Sequence, residues 1–84
     1  MAKIEIYSKT TCPYCTMAKR LLESKGQEFE EINLNQHPER TDEMIERTGG
    51  KMTVPEIFID GKLIGGYDDL AALETAGNLD PLLA

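Results

Sequence analysis

The chain has 84 residues, 40% hydrophobic and 29% charged, with a net charge of −6 at neutral pH. That length predicts one domain over residues 1–84 with a single core, and the composition excludes a disordered segment. The acidic balance argues against nucleic acid as a partner, because polyanions are bound by basic surfaces.

In the opening MAKIEIY, Ile4 and Ile6 alternate with polar neighbours and predict a strand. There is no apolar core of a leader peptide here, and no run of about 18 apolar residues anywhere, so the expectation is a cytosolic protein without membrane contact. TTCPYC ends the strand. From Pro13 onward, Met17, Ala18, Leu21 and Leu22 recur at helical spacing and Gly26 supplies a stop, which predicts a helix from near residue 13 to near 25. Pro13 suits the first turn, where it has no N–H to lose.

EFEEINL carries Phe29, Ile32 and Leu34 and reads as a second strand, broken by NQHPER. PERTDEMIERT predicts a second helix, with Pro38 early, acidic residues in the first turns, Met44 and Ile45 inward and Gly49-Gly50 closing it. EIFID and LIG, joined through GK, are two short apolar runs around Asp60-Gly61, a type I′ hairpin signal because both central residues of that turn need positive φ. A last helix begins at YDDLAALETAG, where Asp68 or Asp69 can cap the start, Leu70, Leu73 and Ala76 can pack inward, and Gly77 ends it. The order is β-α-β-α-β-β-α, an α/β domain whose first βαβ unit should be parallel and right-handed.

Charge is unevenly spread. Residues 1–25 carry a net +3 and the remainder −9. Solvated helix charge and a locally positive setting for an anion or thiolate both fit this.

Both cysteines of the chain, Cys12 and Cys15, lie within that positive segment. In a reducing compartment such a pair points to catalysis or metal binding rather than to a staple. A fixed disulfide closing so short a loop would remove only about 2 kcal/mol of unfolded-state entropy. Structural zinc wants about four ligands, and beyond the cysteines the chain offers one histidine, His37, which reads as a loop residue. A Cys-x-x-Cys at a strand-to-helix junction instead places its first thiol among free backbone N–H groups at the positive end of a helix. Cys12 is therefore expected to have a lowered pKa and to attack disulfides as the thiolate, Cys15 to resolve the mixed disulfide, and Lys9 to add positive charge nearby.

Two further stretches matter. Val54-Pro55 in TVPEIF precedes an apolar strand; it is either a strand-starting proline or a cis peptide that leaves Val54 as a short open edge for an extended peptide. GGYDD is, taken alone, either a plain capped turn or a ligand site, in which two glycines admit a ligand to the backbone and the helix start at Asp68 offers N–H groups that can hold a carboxylate.

CPYC, TVP and GGYDD, in this order and spacing, resemble the glutaredoxins, and most closely the short bacterial-type dithiol members, over essentially the whole chain. Thioredoxins differ in carrying Gly-Pro between their cysteines and a tryptophan before them; this chain has no tryptophan. The resemblance implies a thioredoxin-like fold, with a four-stranded mixed sheet flanked by three helices, in a monomer. It implies a glutathione-dependent thiol-disulfide oxidoreductase with no tightly bound cofactor and no metal, and with glutathione as the reducing co-substrate. Its partners would be disulfide-containing or glutathionylated proteins, with ribonucleotide reductase among the candidates.

By the same resemblance Cys12 is the nucleophile, Cys15 the resolving thiol and Pro55 cis. Thr53 and Val54 would pair with the cysteinyl part of glutathione, Lys9 and Arg47 would meet its glycine carboxylate, and Tyr14 would line the groove. Gly66, Tyr67, Asp68 and Asp69 would hold the γ-glutamyl end. The chain departs from the pattern in having Tyr67 where many relatives carry a third cysteine, and Lys51-Met52 where an arginine is frequent. Two rival functions stay open at this point: a thioredoxin-like reductase served by a flavoprotein, and a carrier in which two chains and glutathione ligate an iron–sulfur cluster.

Overall fold

The sheet is built around β1 (Ile4–Ser8) and β3 (Glu56–Ile59), which pair antiparallel, with β2 (Glu30–Asn33) parallel to β1 on one edge and β4 (Lys62–Gly65) antiparallel to β3 on the other. These relations come from a computed structural model that describes residues 2–84; Met1 lies outside the described residues. Because side chains alternate across a strand, the register sorts the core into two layers. Ile4 and Ile6 share one face with Ile57 and Ile59. Against that face pack Ala18 and Leu22 of α1 (Pro13–Ser24), Leu70 of α3 (Tyr67–Thr75), and Leu79 and Leu83 of α4 (Leu79–Leu83). Tyr7, Ile32 and Phe58 point the other way and meet Met44 of α2 (Thr41–Arg47).

The turn chemistry behaves as the sequence predicts. Asp60 and Gly61 both have positive φ, 52° and 80°, and join β3 to β4 as a two-residue hairpin. At Gly26 the N–H groups of residues 26 and 27 bond back to Glu23 and Leu22, closing α1 in a Schellman motif that recurs at the ends of α2 and α3.

Several expectations need correction. A fourth helix, α4, occupies a stretch to which the sequence reading assigned no element; Leu79 and Leu83, four residues apart, are both buried. The predicted helix from Pro38 is split into a 3₁₀ turn, Pro38–Arg40, and α2. β2 is shorter than EFEEINL. Met17 is exposed, because the buried stripe of α1 runs through Cys15, Ala18 and Leu22, to one side of it. Ala76 is exposed because it caps α3 rather than continuing it.

Charge pairs tie the layers together. Lys19 of α1 meets Glu31 of β2 at 2.9 Å, and Lys25 meets Glu74 at 2.7 Å and Asp80 at 3.0 Å, linking α1 to α3 and α4. No helix among the described residues is long and apolar enough to cross a membrane.

Candidate active site

β1 ends at Ser8 and the chain enters α1 at Pro13, so Cys12 falls at the N-cap, where the backbone is still extended. Its Sγ accepts the N–H of Cys15 at 3.1 Å, as an N-cap oxygen would accept the N–H three residues on. Cys12 and Cys15 are joined as a disulfide, with their Cα atoms 5.2 Å apart. The two sulfurs are not equivalent. Cys15 is 1% exposed beneath the first turn, whereas Cys12 is partly open to solvent. An incoming thiolate therefore reaches Cys12, and on reduction it is the Cys12 thiolate that the helix N-terminus and the Cys15 N–H stabilise.

The carbonyl oxygen of Val54 lies 3.9 Å from Cys12 Sγ. A disulfide sulfur has no hydrogen to donate, so this is a contact and the carbonyl stays available. Val54-Pro55 is cis, and among the described residues neither backbone polar group of Val54 bonds to another backbone group. The result is a short open edge immediately ahead of β3 and beside the reactive sulfur.

From there a cleft of about 460 Å³ runs to the start of α3. It brings together Tyr14, Thr53, Val54, Pro55, Gly66, Tyr67, Asp68 and Asp69. The Tyr14 and Tyr67 rings stand with centroids 6.0 Å apart. At the far end α3 is capped by Gly66, whose N–H is accepted by Asp69 Oδ2 at 3.0 Å. Of the two aspartates expected as caps, Asp69 closes the first turn, from its third position; Asp68 is exposed and makes no hydrogen bond among the described residues. Gly65 is required beside them: its φ is +117°, and a Cβ there would sit 2.2 Å from Asp69 Oδ2.

Two residues assigned to binding by resemblance lie elsewhere. Lys9 is exposed on the loop between β1 and α1 and does not line the cleft. Arg47 is committed to the α2 face of the sheet, where it pairs with Glu5 at 3.0 Å, donates to Tyr7 Oη at 2.8 Å and stacks on Phe58 at 3.9 Å. Tyr7 Oη in turn donates to Glu43, which Arg40 holds at 2.8 Å. Three of its guanidinium N–H groups are engaged in these bonds, and Arg47 is not among the residues that line the cleft.

Three more residues line the cleft: Lys51, which the sequence offers as a replacement for the frequent arginine, and Met52 and Glu56, which it does not single out for the site. Lys51 is the one basic residue on the cleft wall among the described residues, and Met52, 70% exposed, forms part of its rim. The third is Glu56, the first residue of β3, only 2% exposed. Its Oε2 accepts the Thr53 hydroxyl at 3.1 Å, and its Oε1 is buried without a hydrogen-bond partner among the described residues. Burial pushes this carboxyl above the ordinary glutamate value, the Thr53 hydroxyl and Lys51 oppose the shift, and Asp69 adds to it. A glutamate inside the apolar run PEIFI was the available signal.

A sheet of order β2-β1-β3-β4, a Cys-x-x-Cys at the end of its first strand and a cis-proline facing it define a thioredoxin-fold thiol-disulfide oxidoreductase. Residues 4–64 match the glutaredoxin family model. The chain is 55% identical over 83 residues to glutaredoxin 3 of Escherichia coli strain K12, covering 99% of each chain, and 48% identical over 84 residues to a glutaredoxin of Pseudomonas aeruginosa, covering 100% and 99%. Among solved structures it superposes on the buckwheat glutaredoxin–glutathione complex with a TM-score of 0.88 at 34% identity, covering 98% of this chain and 76% of that one. The solution structure of glutaredoxin from Brucella melitensis gives 0.83 at 51% identity, covering 99% and 89%. The chain belongs to the glutaredoxin family.

Proposed function

We propose that the protein is a cytosolic, monomeric oxidoreductase that uses glutathione to reduce glutathione mixed disulfides and protein disulfides, with no tightly bound cofactor. The observation that carries this reading is the continuity of the half-exposed Cys12 sulfur, the open Val54 edge and the cleft ending at Asp68. Such a track suits a short extended peptide whose thiol reacts at one end and whose ammonium meets a carboxylate at the other. The glutathione complex of the buckwheat relative supports the same ligand here.

In the reaction, the Cys12 thiolate attacks the glutathione sulfur of a mixed disulfide; a Cys12–glutathione disulfide forms and the partner leaves as a thiolate. A second glutathione thiolate then attacks the glutathionyl sulfur, releasing oxidised glutathione and restoring Cys12. With a protein disulfide, Cys12 forms an intermolecular bond that the Cys15 thiol, held in the first turn of α1, breaks by intramolecular attack at high effective concentration. The oxidised product is the Cys12–Cys15 disulfide of this structure.

The test is an assay coupling turnover to glutathione reductase, run on the native protein and on Cys15→Ser. The variant should keep reduction of a small glutathione mixed disulfide and lose most reduction of a protein disulfide, whereas Cys12→Ser should lose both. A folded Cys15→Ser protein inactive on the mixed disulfide would overturn the scheme, because the dithiol would then be obligatory.

A further inference from the structure

Glu56 is an unusual residue to find beneath a cleft that must accept an anion. It is buried, its Oε1 has no partner, and its other oxygen is tied to Thr53, the residue that leads into the open edge at Val54. We propose that Glu56 is a positioning residue that sets how strongly the cleft takes an anionic γ-glutamyl disulfide: neutral, it holds Thr53–Val54 in the receptive arrangement, and ionised, it weakens binding. This inference rests on the glutathione reading given above.

The charges around it explain why one proton should matter. On the cleft wall stand Lys51, Asp68 and Asp69, so the wall is net −1 with Glu56 neutral and −2 with it ionised. Across the sheet its register partner is Tyr7, whose hydroxyl is already committed to Glu43 and Arg47, with Arg47 itself paired to Glu5. Among the described residues no cation on that side is free to neutralise a Glu56 carboxylate. Lys51 is the remaining one, and attraction to an ionised Glu56 would draw it from a ligand carboxylate. Burial favours the neutral acid, so ionisation is displaced upward from the ordinary glutamate range.

The experiment compares reduced wild-type protein with Glu56→Gln, whose amide oxygen can still accept from Thr53 but carries no charge. Rates are measured from about pH 5 to about pH 8 with a glutathione mixed disulfide and with neutral bis(2-hydroxyethyl) disulfide. Within one protein the ratio of the two rates cancels ionisation of Cys12, and the carboxylates of the glutathionyl group stay charged throughout. In wild type the ratio should fall with rising pH, by about three- to tenfold for one charge gained within the cleft, and in Glu56→Gln it should stay flat.

Equal slopes in both proteins, or a flat ratio in wild type, overturn the inference. A third substrate, 3,3′-dithiodipropionate, is anionic without a γ-glutamyl arm. If wild type prefers the glutathione disulfide over it, the glutathione reading stands, whatever the fate of Glu56; if it shows no preference, reading and inference fall together. Carboxyl ¹³C titration of the wild-type protein gives a check that needs no variant: Glu56 should titrate above the other glutamates, and titration along with them overturns the inference.

Discussion

Asp68 and Asp69 are adjacent in the chain and have separate tasks. Asp69 accepts the Gly66 N–H and so closes the first turn of α3, while Asp68 faces the cleft unbonded. Asp69→Ala should therefore lower stability by about 0.5–2 kcal/mol, the usual loss for a capping interaction, and loosen the cleft end with it. Asp68→Ala should keep the melting temperature and raise KM for a glutathione mixed disulfide, because only a ligand-facing charge is removed. Thermal melts and steady-state kinetics on the two variants separate these tasks; a loss of melting temperature in Asp68→Ala with unchanged KM would reverse the assignment. Cys12 and Cys15 are divided in the same way by position. The partly exposed Cys12 at the positive end of α1 should be alkylated by iodoacetamide at mildly acidic pH well before the buried Cys15, and equal labelling of the two would contradict its role as nucleophile.

At the scale of elements, α2 is fastened to the sheet mainly through Met44 and Arg47. Arg47→Ala would strand Glu5, whose side chain is only 13% exposed, and remove the stack on Phe58. We expect a loss of about 1–3 kcal/mol in denaturant unfolding, with KM for the mixed disulfide unchanged. A raised KM at unaltered stability would instead return Arg47 to the binding set. This residue also shows what a sequence can and cannot display. The alternation of Ile4 and Ile6, the Asp60-Gly61 hairpin and the glycine stops were readable because each is a local backbone requirement satisfied within a few residues. Cys12 was readable for the same reason, since an N-cap is local. Whether Arg47 faces the ligand or Glu5 is decided by contacts 42 positions apart in the chain, and α4 by burial of Leu79 and Leu83 under a core assembled from both ends of the chain. Glu56 sits between these cases: its type was visible in an apolar run, its missing partner was not.

For the molecule as a whole, the acidic groups pull stability in opposite directions as pH changes. Burial pushes the Glu31 carboxyl up, but the Ser8 hydroxyl and Lys19 outweigh it and the net shift is downward. Arg40 and the Tyr7 hydroxyl hold Glu43 low against partial burial. Groups with depressed values contribute stability above the unfolded glutamate value and lose it as pH falls through the folded one, so Glu31 and Glu43 favour the native state at neutral pH and fail in acid. Glu56 has the opposite sign. Its folded value is raised, so between the unfolded and folded values the native state keeps a proton that the unfolded chain has released, and stability drops as pH climbs through that window. Glu56→Gln should therefore gain melting temperature relative to wild type progressively from about pH 4 upward, levelling off once the native carboxyl has ionised. Glu31→Gln should run the other way, costing little in acid and more towards neutrality. Melting curves of the three proteins across pH decide the matter. If the wild type and Glu56→Gln differ by a constant amount at every pH, the buried carboxyl keeps its ordinary value and the unpartnered Oε1 finds compensation in solution.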